Sequence, residues 1–145
     1  MTDQDIAIAV CFVLTIDGHP LGAFTSCEGL GCELVMEQRE EGGNNGFVHQ
    51  LPTRVKYTNV KLSRPITEAS KEFPTWFAKV DRGVAARTAT IEAKTPDGRL
   101  ITSWGLRHVL PVRWTGPQFA ADSAKVATET IELSHQGFFG PGWGG

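Results

Sequence analysis

The stretch from Glu28 to Pro65, EGLGCELVMEQREEGGNNGFVHQLPTRVKYTNVKLSRP, constrains the fold more than any other part of the chain. Residue types alternate on either side of a pliable tip, Gly42, Gly43, Asn44, Asn45 and Gly46, which is the pattern of an extended ribbon folded back on itself. On the outgoing side Leu34, Met36, Gln38 and Glu40 share one face, and Glu33, Val35, Glu37 and Arg39 the other. The core-facing portion is therefore only about two residues deep, and beyond residue 37 the ribbon has little to pack on within one domain. Phe47, Val48 and Leu51 begin the return, and Val55 to Leu62 reads as the next strand, closed by Ser63-Arg64-Pro65. A strand edge presents unpaired N–H and C=O groups, so a long arm with a charged end is either a solvated hairpin or a device for pairing with another chain. The ribbon points to assembly rather than catalysis.

Strands flank it on both sides. Ile8, Val10, Phe12, Leu14 and Ile16 fall at one parity, Asp17-Gly18 marks a tight turn, and a short strand returns through Leu21, Ala23 and Phe24. Gly29 and Gly31 kink the chain ahead of the ribbon. One helix is expected, because Phe73, Trp76, Phe77 and Val80 recur at i, i+3, i+4 and i+7. Pro74 belongs in a first turn, so the helix starts near it, or begins at Thr67 or Ser70 with a break at the proline, and Gly83 ends it. Arg87 to Lys94, a Pro96-Asp97-Gly98 turn and Arg99 to Thr115 follow. In that last run the even positions from Leu100 to Trp114 suit a core, and Gly105 and Pro111 are the expected bends. Lys125 to Gln136 supplies a final strand, with Ile131 and Leu133 facing one way and Thr130, Glu132 and Ser134 the other. The Gly-rich tail from residue 138 is read as loosely held. The outcome is a mainly β chain, one domain over residues 1–145, forming a barrel or sandwich with one flanking helix and the ribbon arm.

Charge excludes some partners. With 14 basic and 16 acidic side chains, the formal net charge of -2 gives no electrostatic reason for nucleic acid or an anionic membrane to be the main partner. The N-terminus has no basic region before its apolar run, and no run approaches the ~18 apolar residues of a membrane span, so a soluble protein made in the cytoplasm is expected, with no direct membrane anchoring. Cys11, Cys27 and Cys32 are odd in number and match no zinc or redox spacing, and they read as reduced thiols.

Chemistry is hard to find. His19, His49, His108 and His135 are scattered, with no pair at metal-ligand spacing. Glu37, Glu40 and Glu41 around Arg39 read as a solvated face or an inter-subunit salt-bridge patch rather than an acid/base or metal site. No cofactor, metal or catalytic residue is assigned.

Four stretches together resemble the tail tube proteins of contractile phages and of phage-derived contractile injection systems. These are FVLTIDGHPLGAFTSCEGLG, EQREEGGNN running to LPTRVKYTNVKL, HVLPVRWTGPQF and TIELSHQGF, in the family's order. The resemblance implies a barrel-like subunit that assembles as a six-membered ring with a continuous barrel around a lumen. Rings then stack into an inner tube driven by a contracting sheath. It further implies a sheath protein, baseplate and cap proteins and a luminal cargo protein or DNA as partners, with assembly in the bacterial cytoplasm and possible release in a particle. By position, Glu37, Arg39, Glu40, Glu41, Asn44, Asn45 and Phe47 are the ring-stacking candidates, and Lys56, Thr58, Glu132 and Ser134 the lumen candidates. Two departures stand out: Arg64-Pro65 where the family commonly has Arg-Gly, and Pro74 in the helix.

The leading expectation is a structural tube subunit without enzymatic activity. A monomeric barrel binding a small apolar ligand between Trp104, Leu106 and Trp114 is the second reading, and a cysteine hydrolase the third. Within the family, the tube of a membrane-anchored secretion system is the rival.

Overall fold

The computed structural model describes residues 10–40, 48–66, 72–80, 87–117, 127–140 and 143. Ten strands and one helix follow in chain order among these residues: β1 Cys11–Ile16, β2 His19–Phe24, β3 Ser26–Glu28, β4 Cys32–Glu40, β5 Val48–Tyr57, β6 Val60–Pro65, α1 Glu72–Val80, β7 Arg87–Lys94, β8 Leu100–Thr115, β9 Thr128–Ser134 and β10 Phe138–Phe139. Antiparallel pairing gives a path β2-β1-β7-β8-β9-β6-β3, with β10 on β8, while β4 and β5 form a separate two-stranded ribbon. The path is open. Its ends, β2 and β3, are consecutive along the chain, and Thr25 between them donates its N–H to the Ser63 carbonyl at 2.9 Å.

The first hairpin follows from two residues. Asp17 and Gly18 both have positive φ, 50° and 82°, so the loop between paired Ile16 and His19 has the twist that right-handed strands need. Leu14 and Ile16 are buried as their parity requires. In β2 the expectation for Ala23 does not hold: Ala23 is exposed and Phe24 is buried. The register shifts between Leu14 and Thr15, leaving Leu21 as an inserted residue whose side chain turns inward alongside Phe24. The kink at Gly29 is obligatory. It has φ +91°, and a Cβ there would lie 2.0 Å from the Asn59 carbonyl oxygen.

The largest difference lies in β8. Only Leu106 among its even apolar positions is fully buried; Leu100, Val112 and Trp114 are exposed, and the inward residues of the second half are Val109 and Pro111. For the stretch from Val109 to Pro111 His108 is the cause, and a second register shift at Val112 returns Trp114 to the side of Ile131. His108 sits at φ +54°, next to the point where β8 leaves its ladder with β7 at Val109 and takes up β9 at Leu110. One left-handed residue at that corner reverses the parity, so one bend falls at His108 rather than at Gly105, and the bulge at Val112 adjoins Pro111. A long strand thus serves two sheet segments.

Other boundaries shift for local reasons. The expected strand from Val55 to Leu62 is split at Thr58 and Asn59, and β6 runs on through Ser63, Arg64 and Pro65. Helix α1 starts two residues before Pro74, which therefore stands in the first turn where its missing N–H costs nothing. Phe73 and Trp76 are buried edge to face with ring centroids 5.5 Å apart, whereas Phe77 is more than a third exposed. Gly83 lies outside the described residues. The tail is docked at its start: Phe138 and Phe139 pair with Leu106 and Gly105, Phe138 stacks on Trp143, and the Phe139 ring fills the place of a Cβ at Gly105. Leu14, Val60, Leu62, Phe73, Ile91, Leu106, Val109, Ile131 and Leu133 are wholly excluded from water and form one core. Each such side chain is worth about 1.5–3 kcal/mol of burial.

Candidate functional site

The ribbon is amphipathic, and among the described residues neither of its faces is covered. Cross-strand pairs Cys32–Tyr57, Leu34–Val55 and Met36–Pro52 stand on one face, while Glu33–Lys56, Val35–Arg54 and Glu37–Leu51 stand on the other. A bulge leaves Thr53 unpaired between Arg54 and Pro52, and its hydroxyl donates to the Val35 carbonyl at 2.8 Å. Leu34 and Met36, expected against a core, are 52% and 41% exposed, and Val55 and Leu51 are 46% and 40% exposed. Glu37 lies on the polar face. Arg39 and Glu40 pair along the backbone with His49 and Val48, so the ribbon extends at least that far. Glu41, Asn44, Asn45 and Phe47 lie outside the described residues.

Beneath the ribbon's root, register brings polar residues into rows across four strands. Glu28, Lys61, Glu132 and Arg113 stand in line on β3, β6, β9 and β8, alternating in sign. The next row is Ser26, Ser63, Thr130 and Thr115, all hydroxyls, with Ser63 Oγ 2.8 Å from Thr130 Oγ1. Asn59 Nδ2 donates to Glu132 Oε2 at 2.8 Å. Of the lumen candidates, Glu132 and Ser134 share this face of β9; Lys56 is on the ribbon opposite Glu33, and Thr58 sits at the ribbon's root with its hydroxyl 3.5 Å from the Gly31 carbonyl.

The opposite face holds a feature the sequence reading passed over. Arg64 and Glu129 are registered partners on β6 and β9, only 2% and 1% exposed, with Nε 2.9 Å from Oε2. Arg64 also donates to the Leu21 carbonyl and lies over the Phe24 ring. The other oxygen of Glu129 accepts the Trp114 indole N–H at 2.8 Å. The signal was available: Arg64 has the parity of Val60 and Leu62, and Glu129 that of Ile131 and Leu133.

Two titratable groups are displaced by burial. The Cys27 thiol is pushed up to about 11, by desolvation first and the Glu28 charge second, which removes it further from a nucleophile's role. His135 is held below its ordinary value by desolvation, opposed by backbone hydrogen bonding from Gly137 and Thr58. Its ring lies against Tyr57 and Phe138. Among the described residues no group of His, Cys, Asp and Glu could hold a metal ion. Leu106 is in the core, Trp104 packs against it and Trp114 is 41% exposed ten residues further along β8, so these three do not form one ligand pocket.

The family model described as T4-like virus tail tube protein gp19 matches residues 9–139. A chain of the anti-feeding prophage (AFP) baseplate, solved with 6-fold symmetry, is 26% identical, with 96% of each chain covered and a TM-score of 0.73. A chain of the PVC sheath-tube complex, an extracellular contractile injection system in its extended state, is 21% identical over 95% of this chain and 92% of that one, with a TM-score of 0.78. Hcp1 from Salmonella typhimurium shares the fold at 18% identity and a TM-score of 0.57, over 88% and 83% of the two chains. No curated protein sequence matches.

Proposed function

This chain belongs to the T4-like virus tail tube protein gp19 family, and on that premise we propose that its copies close into six-membered rings that stack into the hollow inner tube of a contractile particle. It is a structural subunit of a phage tail or a phage-tail-like injection system. The observation that carries the ring reading is the ribbon: an arm with both faces and both outer edges open among the described residues has no structural purpose in a lone subunit. Closure around a sixfold axis removes such edges, and the open path from β2 to β3 becomes part of a continuous barrel.

In this arrangement the ribbon tip, with Glu37, Arg39, Glu40, Glu41, Asn44, Asn45 and Phe47, contacts the next ring. The polar sheet face with Glu132 and Ser134 lines the passage, with Lys56 and Thr58 at its rim, and cargo protein or DNA travels within. Its charge row is self-compensating, so it presents no strong field to hold a passing chain. Sheath, baseplate and cap proteins are the outer and terminal partners, in keeping with the sheath-tube, baseplate and cap assemblies in which similar chains are found. The subunit is assembled in the bacterial cytoplasm and leaves it within the particle.

Exchanging the charges of Arg39 and Glu41 in one variant tests the tip. Rings that form normally but no longer stack are the expected result; tubes of unaltered length and abundance would remove the tip from the contact.

A further inference from the structure

We propose that rings close by antiparallel addition of β3 of one copy to the free end of β8 in the next, which sets Glu28 of the first beside Arg113 of the second. This rests on the ring reading above and names the edges and the side chains that meet.

Strands β3, β6, β9 and β8 form a sheet segment with two open edges. Among the described residues β3 pairs only with β6, and past Val109 β8 pairs only with β9. Register carries three neighbouring rows across this segment from edge to edge. The charge row runs Glu28, Lys61, Glu132, Arg113; the next runs Cys27, Leu62, Ile131, Trp114; the third runs Ser26, Ser63, Thr130, Thr115. Each row begins and ends in side chains that suit one another. In the alternating charge row each inner residue has an opposite charge on both sides, but Glu28 and Arg113 at its ends have one on a single side. Joining copies end to end supplies the second and brings two hydroxyls together in the third row. It also lays Cys27 beside Trp114 on the core side, where the indole is 41% exposed although it shares the side of the wholly buried Ile131.

Chain direction fits as well. The pairings along the segment are all antiparallel, so β3 and β8 run in opposite senses, and a copy added edge to edge continues the alternation. Two unlike edges that match each other are what a closed ring needs, and joining them satisfies open backbone groups on both. Pro111 has no N–H to offer, but it and the bulge at Val112 lie outside residues 113–115, the stretch that faces β3. The other edge strands fit poorly: β2 and β5 carry no carboxylate, and β4 carries no hydroxyl.

The test uses the full chain with Glu28→Lys in one variant and Arg113→Glu in another, both at exposed positions. Alone, each variant brings like charges together at every contact, and the concentration at which light scattering detects rings should rise about tenfold. In an equimolar mixture, alternating copies set a lysine against a glutamate at one contact and Arg113 against Glu28 at the next, so rings should form at the parental concentration. Charges within each copy are the same alone and mixed, so recovery reports the contact between copies. Hydrogen exchange on the parental protein gives a readout independent of the variants. Amides of residues 26–28 and 113–115 left unbonded in a single copy should exchange slowly in rings and quickly after dilution to single copies. Variants that keep the parental threshold, a mixture no better than its folded components, or fast exchange along these strands in rings would overturn the contact and leave the ring reading intact. Parental protein that forms no rings would overturn both.

Discussion

Arg64 and Glu129 face each other directly across β6 and β9, with 2.9 Å between Nε and Oε2, at a depth where both are almost wholly excluded from water. The pair sits at core parity, in line with Leu62 and Ile131, and its second oxygen reaches out to fix Trp114 near the surface. A buried charge pair of this kind contributes little net stability against an apolar replacement, but removing one partner leaves the other uncompensated.

Glu129→Gln should therefore destabilise the folded chain by about 3–5 kcal/mol, read as a lower midpoint in urea unfolding of the dissociated subunit. Trp114→Phe, which takes away the N–H to the Glu129 oxygen together with one ring of the indole, should cost about 1–3 kcal/mol. Equal effects from the two would argue that the ion pair matters no more than its hydrogen bond to the indole.

Two glycines with similar backbone angles should differ sharply on substitution. Gly18→Ala at φ +82° meets open space, so only the left-handed conformation is penalised, about 1–2 kcal/mol. Gly29→Ala at φ +91° adds a collision with the Asn59 backbone, which must move and carry the Asn59–Glu132 hydrogen bond with it. Soluble yield and melting temperature should fall far more for Gly29→Ala; similar losses would contradict the close approach.

Acid should weaken the packing at the ribbon root. Burial favours neutral His135 in the folded chain, so its folded pKa lies below the unfolded value near 6.5. The unfolded state then binds more protons, and the associated stability is present above about pH 6.5 and is lost as pH falls from there toward the folded pKa. His135→Leu should show a smaller drop in melting temperature between pH 7.5 and 5.5 than the parental chain. An unchanged slope would assign the acid sensitivity to other groups.

Several elements were legible in the sequence because local chemistry alone decides them. The Asp17-Gly18 turn, β7 from Arg87 to Lys94 and the place of Pro74 in a first helical turn agree with their motifs. The ribbon was legible as an arm, since alternation outran any apolar supply. What escaped depended on single residues that change parity: the left-handed His108 and the inserted Leu21 turn later side chains to the other face, and no composition rule marks them. Arg64 and Glu129 escaped for another reason, because charged residues at core parity read as exposed until their partner across the sheet is known. Glycine content likewise masked Phe138 and Phe139, whose rings are held against β8.

The open ribbon and the open sheet path are the grounds on which we propose self-assembly into rings. Negative-stain electron microscopy of the purified protein, paired with its mass by light scattering, tests this most directly. Hollow six-membered rings or tubes, with a mass of six chains or multiples of it, are the expected result; a single-chain mass unchanged across concentration, with no rings on the grid, would rule the assembly out.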